Sequence, residues 1–438
     1  MIRNKKFIIS IAVTLAMLVL LGVYHDRRTC WGSNDFDTYF FAGKLVVSGD
    51  NLYTHEAFKT TLSPFLYLPF FAILTAPLTF LHIRIAAAIW YLLSILSLAG
   101  CVYFALKLIT NGDNIKELFF AKPYFAKAAA FIFVIIAWVD NVSLAQIDFM
   151  ILLLILGSLY LHEKHRPYAA GILLAAASVI KIYPAYFLLY FIAKRQFKAA
   201  AGFFIGIILF VGIIPFAVLG MDGYNDSMQS WFRIRALPHL QPAGDDVREN
   251  YARCESQFKP SNQAFSAVVM RYFMKDNEDV TEWKTVDFKY TIYWPHPLTP
   301  GQTDTLIKLL LLTIILISYA NLDYRRIYRD KIYQGLEYSV MFLSMLLFFP
   351  MVKSHTFAPV LFPLIMFSYL ETRAGDERPQ GQKWKEILFW MAVGAYVLQA
   401  FRYMQVLGAG NFSILFLWML FVGMMIDERR RRRCAALR

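Results

Sequence analysis

The chain has 438 residues, 58% of them hydrophobic and 17% charged, with a formal net charge of +13 and a mean hydropathy of +0.46. A soluble domain runs near half apolar and about a quarter charged, so this composition excludes an ordinary soluble enzyme. The apolar residues fall in many continuous runs rather than in the alternating pattern of a barrel, which leaves an all-α polytopic membrane protein, and the surplus of Lys and Arg is what the inner loops of such a protein collect rather than a sign of a nucleic-acid partner.

The N-terminus reads MIRNKK and then an apolar run, 7–24. No A-x-A-like cleavage site occurs in the GVYHDRRTCWG that closes it, so it is expected to be an uncleaved signal anchor with its N-terminus inside. A long outer loop, 25–84, follows. Within it the apolar stretch FLYLPFFAILTAPLTF, 65–80, contains Pro69 and Pro77 and follows Pro64. Proline removes a backbone donor and breaks helices, so this stretch is expected to form helices lying in the membrane interface rather than a span.

Further spans are expected near 85–108, 127–139, 147–161, 168–181, 183–193 and 198–220, then, after a polar outer segment 221–302, near 303–321, 335–350, 356–370, 385–401 and 411–426. That makes about twelve spans with both termini inside. The alternation then places every strongly basic loop on the inner side, including the one with Lys116, Lys122 and Lys127, then HEKHRP, KRQFK and DYRRIYRDK, and the tail DERRRRRCAALR, an anchor at an anionic leaflet. The expected layout is a membrane catalytic module, 1–220, a large outer loop, 221–302, and a C-terminal set of transmembrane helices, 303–438.

This topology sorts the reactive residues to one face. The first outer loop carries Asp35 and Asp37 beside Tyr39 and Phe40; the turn between the third and fourth spans carries Asp140, Asn141, Gln146 and Asp148; the next outer turn, SVIKIYP, carries Lys181 and Tyr183. The large outer segment adds Asn262 and Arg271, and PMVKSHTFAP adds Lys353 and His355. Each has a plain alternative. A lysine near a span end snorkels to the headgroups, an acid or amide caps a helix, and a histidine in a turn is commonly a hydrogen-bonded structural residue. The concentration of acids, amides, cations and a histidine on one face is what points to chemistry there.

These parts suit transfer from a lipid-linked phosphate sugar. The phosphate leaves as a stable anion, so the site needs cations or donors for the departing charge and one carboxylate to take the proton of the attacking hydroxyl. Asp35 is the expected base, with Lys181, His355, Lys353 and Arg271 as phosphate partners. Tyr39, Asp37, Gln146, Asp140, Tyr183 and Asn262 are the expected substrate-binding residues. No metal and no cofactor is expected, since no Cys/His spacing fits a metal site. Of the four cysteines, Cys30 and Cys254 fall in outer segments, where either a disulfide or two free thiols is open.

The motifs in order resemble glycosyltransferase family 87. DFDTYFFAGKLVVSGDNLY is similar to the family's acid, aromatic, small and G-x-x-L-Y pattern, and YLPFFAILTAPLTFL to its Y-x-P-P segment, with one proline here. LAQID resembles its G-Q-x-N, with Ala145 and Asp148 standing where the family has Gly and Asn; AGILLAAASVIKIYP resembles its A-G…K-x-Y-P element, NQAFSAVVMRYF its N-Q-S…R stretch, and SHTF its late histidine. The resemblance implies the C-type glycosyltransferase membrane fold, a polyprenyl-phosphate sugar donor, most often mannose, a glycolipid or glycan acceptor, and Asp35 as the base. It also implies a prokaryotic plasma membrane with the active site facing the periplasm or cell exterior. Two other classes are weighed against this. A transporter or lipid-linked-sugar flippase would carry ionisable residues at mid-span and broken spans in repeated halves, and a polysaccharide ligase or polymerase would lack the first-loop acid combined with KIYP.

Overall fold

The computed structural model describes residue 22 and residues 35–60, 62–110, 124–237, 261–273, 297–324, 330–374 and 383–436. The first expected span apart from Gly22, the loop with Lys116 and Lys122, and Cys30 and Cys254 lie outside the described residues. What is described is all-helical, with no strand. In chain order the principal α-helices are α1 (Asp35–Ser48), α2 (Pro69–Thr75), α3 (Ile83–Ile109), α4 (Tyr124–Ser143), α5 (Asp148–Glu163), α6 (Pro167–Ile180), α7 (Tyr186–Ala193), α8 (Phe197–Ile207), α9 (Ile214–Trp231), α10 (Phe265–Phe273), α11 (Pro300–Ala320), α12 (Lys331–Phe348), α13 (Leu361–Ala374), α14 (Lys383–Leu398) and α15 (Ala409–Ala436). Among the described residues five stretches are long and apolar enough to cross a membrane: Ile83–Ile109, Ala126–Ser143, Phe197–Ile234, Gly301–Ala320 and Ala409–Cys434.

Local chemistry sets the boundaries. Proline occupies a first helical position in α2, α6 and α11, where its missing N–H costs nothing. Thr299 and Gln302 cap α11 reciprocally, and the Asp330 carboxylate accepts from Ile332 N and Tyr333 N at the start of α12. The proline-bearing stretch after residue 64 forms α2 and a following 3-10 turn, Ala76–Phe80, together too short to span. Some boundaries differ from expectation: α15 runs past the expected 426 through the arginine tail to Ala436. The helix expected to end at 220 resumes beyond it: Gly220 takes φ 70°, a conformation open to glycine, and α9 runs on to Trp231.

The chain divides into two compact units. One comprises Met1–Phe104, Ile136–Leu188 and Gln196–Pro242; the other comprises Ala105–Ile135, Leu189–Arg195 and Ala243–Arg438. In the first, α6 and α8 pack backbone to backbone through Gly171 and Gly202, in the manner of small-residue membrane contacts. Ser158 Oγ joins α5 to α6 by donating to Ala170 O at 2.7 Å. In the second, α12 is buried from Tyr333 to Leu347, and Trp418 Nε1 donates to both Ser318 and Ser344, at 3.0 and 3.1 Å. A buried ion pair, Lys194 with Glu337 at 2.9 Å, is completed there by the Tyr190 hydroxyl, which donates to Glu337 at 2.9 Å.

Candidate functional site

In the first unit several helix ends meet: the start of α1, the turn from α4 to α5, and the end of α6. Asp35 is the first residue of α1, and its N–H donates to Leu144 O at 3.1 Å, tying the helix start to the turn. That turn is tight. Ala145 adopts φ 54°, its carbonyl accepts from Trp90 Nε1 at 3.0 Å, and Gln146 N donates to Asn141 O at 2.8 Å. In the orientation that satisfies both ends of its amide, Asn141 accepts from Asp148 N at 3.1 Å and donates to Gln146 O at 2.9 Å. Held this way, Gln146 turns its side chain back onto α1, where Nε2 donates to Asp35 Oδ2.

The other end of the same amide meets a cation. Lys181 Nζ donates to Gln146 Oε1 at 3.3 Å and to both oxygens of Asp148 at 2.9 Å. Tyr183 OH donates to Asp148 Oδ1 at 3.2 Å. Asp148 is the first residue of α5 and Lys181 follows the last of α6, so each charge sits at the helix end whose dipole favours it. The Asp148 side chain has no exposed surface and that of Lys181 is 14% exposed, while Asp35 is half-buried. The result is one connected chain, Asp35–Gln146–Lys181–Asp148–Tyr183.

Aromatic rings wall this cluster. Tyr39 is buried, and its hydroxyl pairs with that of Tyr67 at 2.9 Å. Its ring meets Tyr67 and Phe71 edge-on, with centroids at 5.4 and 5.0 Å, and Trp90 at 5.5 Å. Burial holds the Tyr39 phenol well above its ordinary pKa. Tyr67 lies within electrostatic reach of Lys181, Asp35 and Asp148. Asp37 stands apart from this chain. It is buried, neither carboxylate oxygen has a hydrogen-bond partner, and desolvation pushes its pKa up to about 7.

The structure therefore brings together Asp35, Tyr39, Gln146, Lys181 and Tyr183 from the expected set, with Asp140 half-buried in the last turn of α4 nearby in sequence. Tyr67 went unrecognised, since it reads in sequence as part of an apolar interfacial run. Asp148 was placed among the reactive residues of its turn but given no role, because its pairing with a lysine 33 residues on leaves no sequence signal.

The remaining expected residues belong to the second unit. Asn262 ties its segment to another: Nδ2 donates to Pro350 O at 3.1 Å, and Oδ1 accepts from Val352 N and Ala264 N at 3.0 Å each. Arg271 donates to Val406 O at 3.0 Å, Asn262 O at 2.9 Å and Gln405 O at 3.3 Å, and burial lowers its pKa to about 10. Three of its N–H groups are thus committed to backbone carbonyls. His355 is buried in the 3-10 turn Ser354–Val360, and Lys353, just before it, is exposed. Among the described residues no group of His, Cys, Asp and Glu is arranged to hold a metal ion. Cys101 is a buried free thiol donating to Phe149 O at 3.3 Å, and Cys434 is free and exposed.

A family model, that of glycosyltransferase family 87, matches residues 65–350, about two thirds of the chain. The matched span takes in Tyr67, Gln146, Asp148, Lys181, Tyr183, Asn262 and Arg271; Asp35, Asp37 and Tyr39 precede it, and Lys353 and His355 follow it. Neither a curated protein nor a solved structure matches the chain.

Proposed function

We propose, for a chain that belongs to glycosyltransferase family 87, that it is an integral membrane enzyme transferring a sugar, mannose first among the candidates, from a polyprenyl-phosphate donor to a hydroxyl of a glycolipid or glycan acceptor, with inversion and without a cofactor. The observation that carries the reading is the arrangement at Asp35: a half-buried carboxylate at a helix start, given one N–H by an amide whose other end meets an ammonium. Such a donor favours the ionised carboxylate, the form that accepts the proton of an attacking hydroxyl. The rings of Tyr39, Tyr67 and Trp90 supply apolar walls for a sugar and exclude water.

On this reading the leaving phosphate is met by Lys181, whose ammonium keeps one N–H on Asp148 and one on Gln146 and turns its third from Asp148 to a phosphate oxygen. Lys353 and His355 are the further phosphate partners. Arg271 contributes by holding the segment that carries Asn262, and Asp37, Asp140 and Tyr183 belong to the substrate surroundings. The chain has about twelve spans with both termini inside, in the C-type fold, and the site faces the periplasm or exterior of a prokaryotic plasma membrane.

The test is transfer by the purified chain from a panel of polyprenyl-phosphate sugars to lipid and glycan acceptors. Asp35→Asn keeps the shape and removes the base, with an expected loss of roughly 10²–10⁴ in rate. Retention of more than about a tenth of the rate, less than the loss of a base entails, removes Asp35 from that role. Absence of transfer from every donor in the panel removes the donor class.

A further inference from the structure

We propose that Asp148 is a positioning residue of the transfer site, holding the Lys181 ammonium at the carbonyl end of the Gln146 amide and so fixing the amide N–H on Asp35. The inference rests on the reading of Asp35 as the base.

An amide side chain has one accepting end and one donating end. Gln146 lies between a cation and a carboxylate: Lys181 donates to Oε1 at 3.3 Å, and Nε2 donates to Asp35 Oδ2. Turned end for end, its oxygen would face the Asp35 carboxylate and its NH₂ would face the ammonium, and both contacts would become repulsive. The sense of the amide is therefore set from both ends, by the Asp35 carboxylate and by where the ammonium stands. Asp148 sets that place. Both its oxygens receive Lys181 at 2.9 Å, and Tyr183 OH donates to Oδ1 at 3.2 Å. A lysine beside water otherwise extends its charge outward along a flexible stem, and one 3.3 Å bond to a neutral amide is a weak restraint against that. Asp148 has no exposed surface, so it acts through Lys181 and not on a ligand. An Asn at 148 would retain one oxygen for Lys181, whereas a Leu would retain none.

The experiment compares transfer kinetics of the full chain with Asp148→Leu, Asp148→Asn, Gln146→Glu and Asp35→Asn, each first shown to be folded and monodisperse in detergent. Expected are a fall in kcat of tenfold or more for Asp148→Leu, about a third or more of the rate in Asp148→Asn, and a fall of tenfold or more in Gln146→Glu, which sets a second carboxylate against Asp35. A kcat for Asp148→Leu within about threefold of wild type, well short of what misplacement costs, overturns the proposal, as does a loss in Asp148→Asn as deep as that in Asp148→Leu. Where Asp148→Leu does not fold, Gln146→Glu decides, and a wild-type rate there overturns the proposal. Asp35→Asn separates the two levels. Its loss alongside an unaffected Asp148→Leu overturns the positioning role alone, and its full activity overturns the reading of the base and the proposal with it.

Discussion

The Nζ of Lys181 lies 2.9 Å from each carboxylate oxygen of Asp148, a side chain with no exposed surface. The consecutive helices α5 and α6 are thereby joined at the ends remote from the turn that connects them. Removing one member of such a pair leaves an uncompensated buried charge, which costs about 3–5 kcal/mol, whereas replacing both by apolar residues is often neutral. Lys181→Met is thus expected to lower thermal stability sharply, and Lys181→Met with Asp148→Leu to recover most of the loss. Equal melting temperatures for wild type and Lys181→Met in detergent would show that the pair contributes nothing.

A second prediction concerns topology. Lys164 and Arg195 are exposed in turns after α5 and α7, and Ile182, 74% exposed, follows α6. With about twelve spans the two basic turns lie inside and Ile182 outside. A single cysteine at 182, in a background without other cysteines, is expected to react with an impermeant thiol reagent on intact cells. Cysteines at 164 and 195 are expected to react only after permeabilisation. Labelling of 164 in intact cells would invert the assignment.

A third rests on the contact of α6 with α8. A Cβ on Gly171 would stand 2.0 Å from Ala199 O, and one on Gly202 2.3 Å from Tyr168 O; at Gly212 nothing lies within 4 Å. Overpacking of this kind costs about 1–3 kcal/mol. Gly171→Ala and Gly202→Ala should therefore melt lower than wild type, and Gly212→Ala should melt no lower. Unfolding temperatures of the three variants in one detergent check the contrast.

Helix positions were legible because apolar runs and prolines mark them: Pro167 and Pro300 open α6 and α11 at their first turns. The continuation of α9 past Gly220 was not, because polar residues follow and the change of direction lies in one backbone angle. At the site, Asp35, Gln146 and Lys181 stand out in sequence by residue type beside apolar runs. What holds them does not, since the Lys181–Asp148 pair and the Tyr39–Tyr67 bond are long-range. Ala145 shows the limit most sharply. Read as a replacement for a motif glycine, it in fact keeps the backbone that a glycine would take, with φ 54°.

That angle gives a fourth prediction. The left-handed region costs a residue with a Cβ about 1–2 kcal/mol, offset by the roughly 0.5–1 kcal/mol that glycine loses in chain entropy. Ala145→Gly should be neutral or more stable by up to about 1.5 kcal/mol, and its transfer rate should stay at the wild-type level because Trp90 holds the residue through its carbonyl. Ala145→Val, with branching at Cβ in the same conformation, should be clearly less stable. Thermal unfolding of the two variants checks the order, and a less stable glycine variant would contradict it.

The last prediction concerns Asp37, two residues from Asp35 in the same first turn. Residues two apart on a helix point about 200° away from each other, and here one acid joins a hydrogen-bonded chain while the other has no partner on either oxygen. Desolvation raises the Asp37 carboxyl from 3.8 to about 7. The sign of the consequence follows from proton linkage. Between pH 4 and 7 the folded chain holds a proton at this position that the unfolded chain has released, so stability falls as pH rises through this window. Below pH 4 both forms are protonated and the penalty vanishes; above pH 7 both are ionised and it is complete. Asp37→Asn carries no charge to desolvate. It should be more stable than wild type at pH 8, less so at pH 6, and little different at pH 4. Unfolding of both proteins at the three pH values decides the matter, and a stability difference that stays constant with pH would mean that Asp37 keeps its ordinary ionisation in the folded chain.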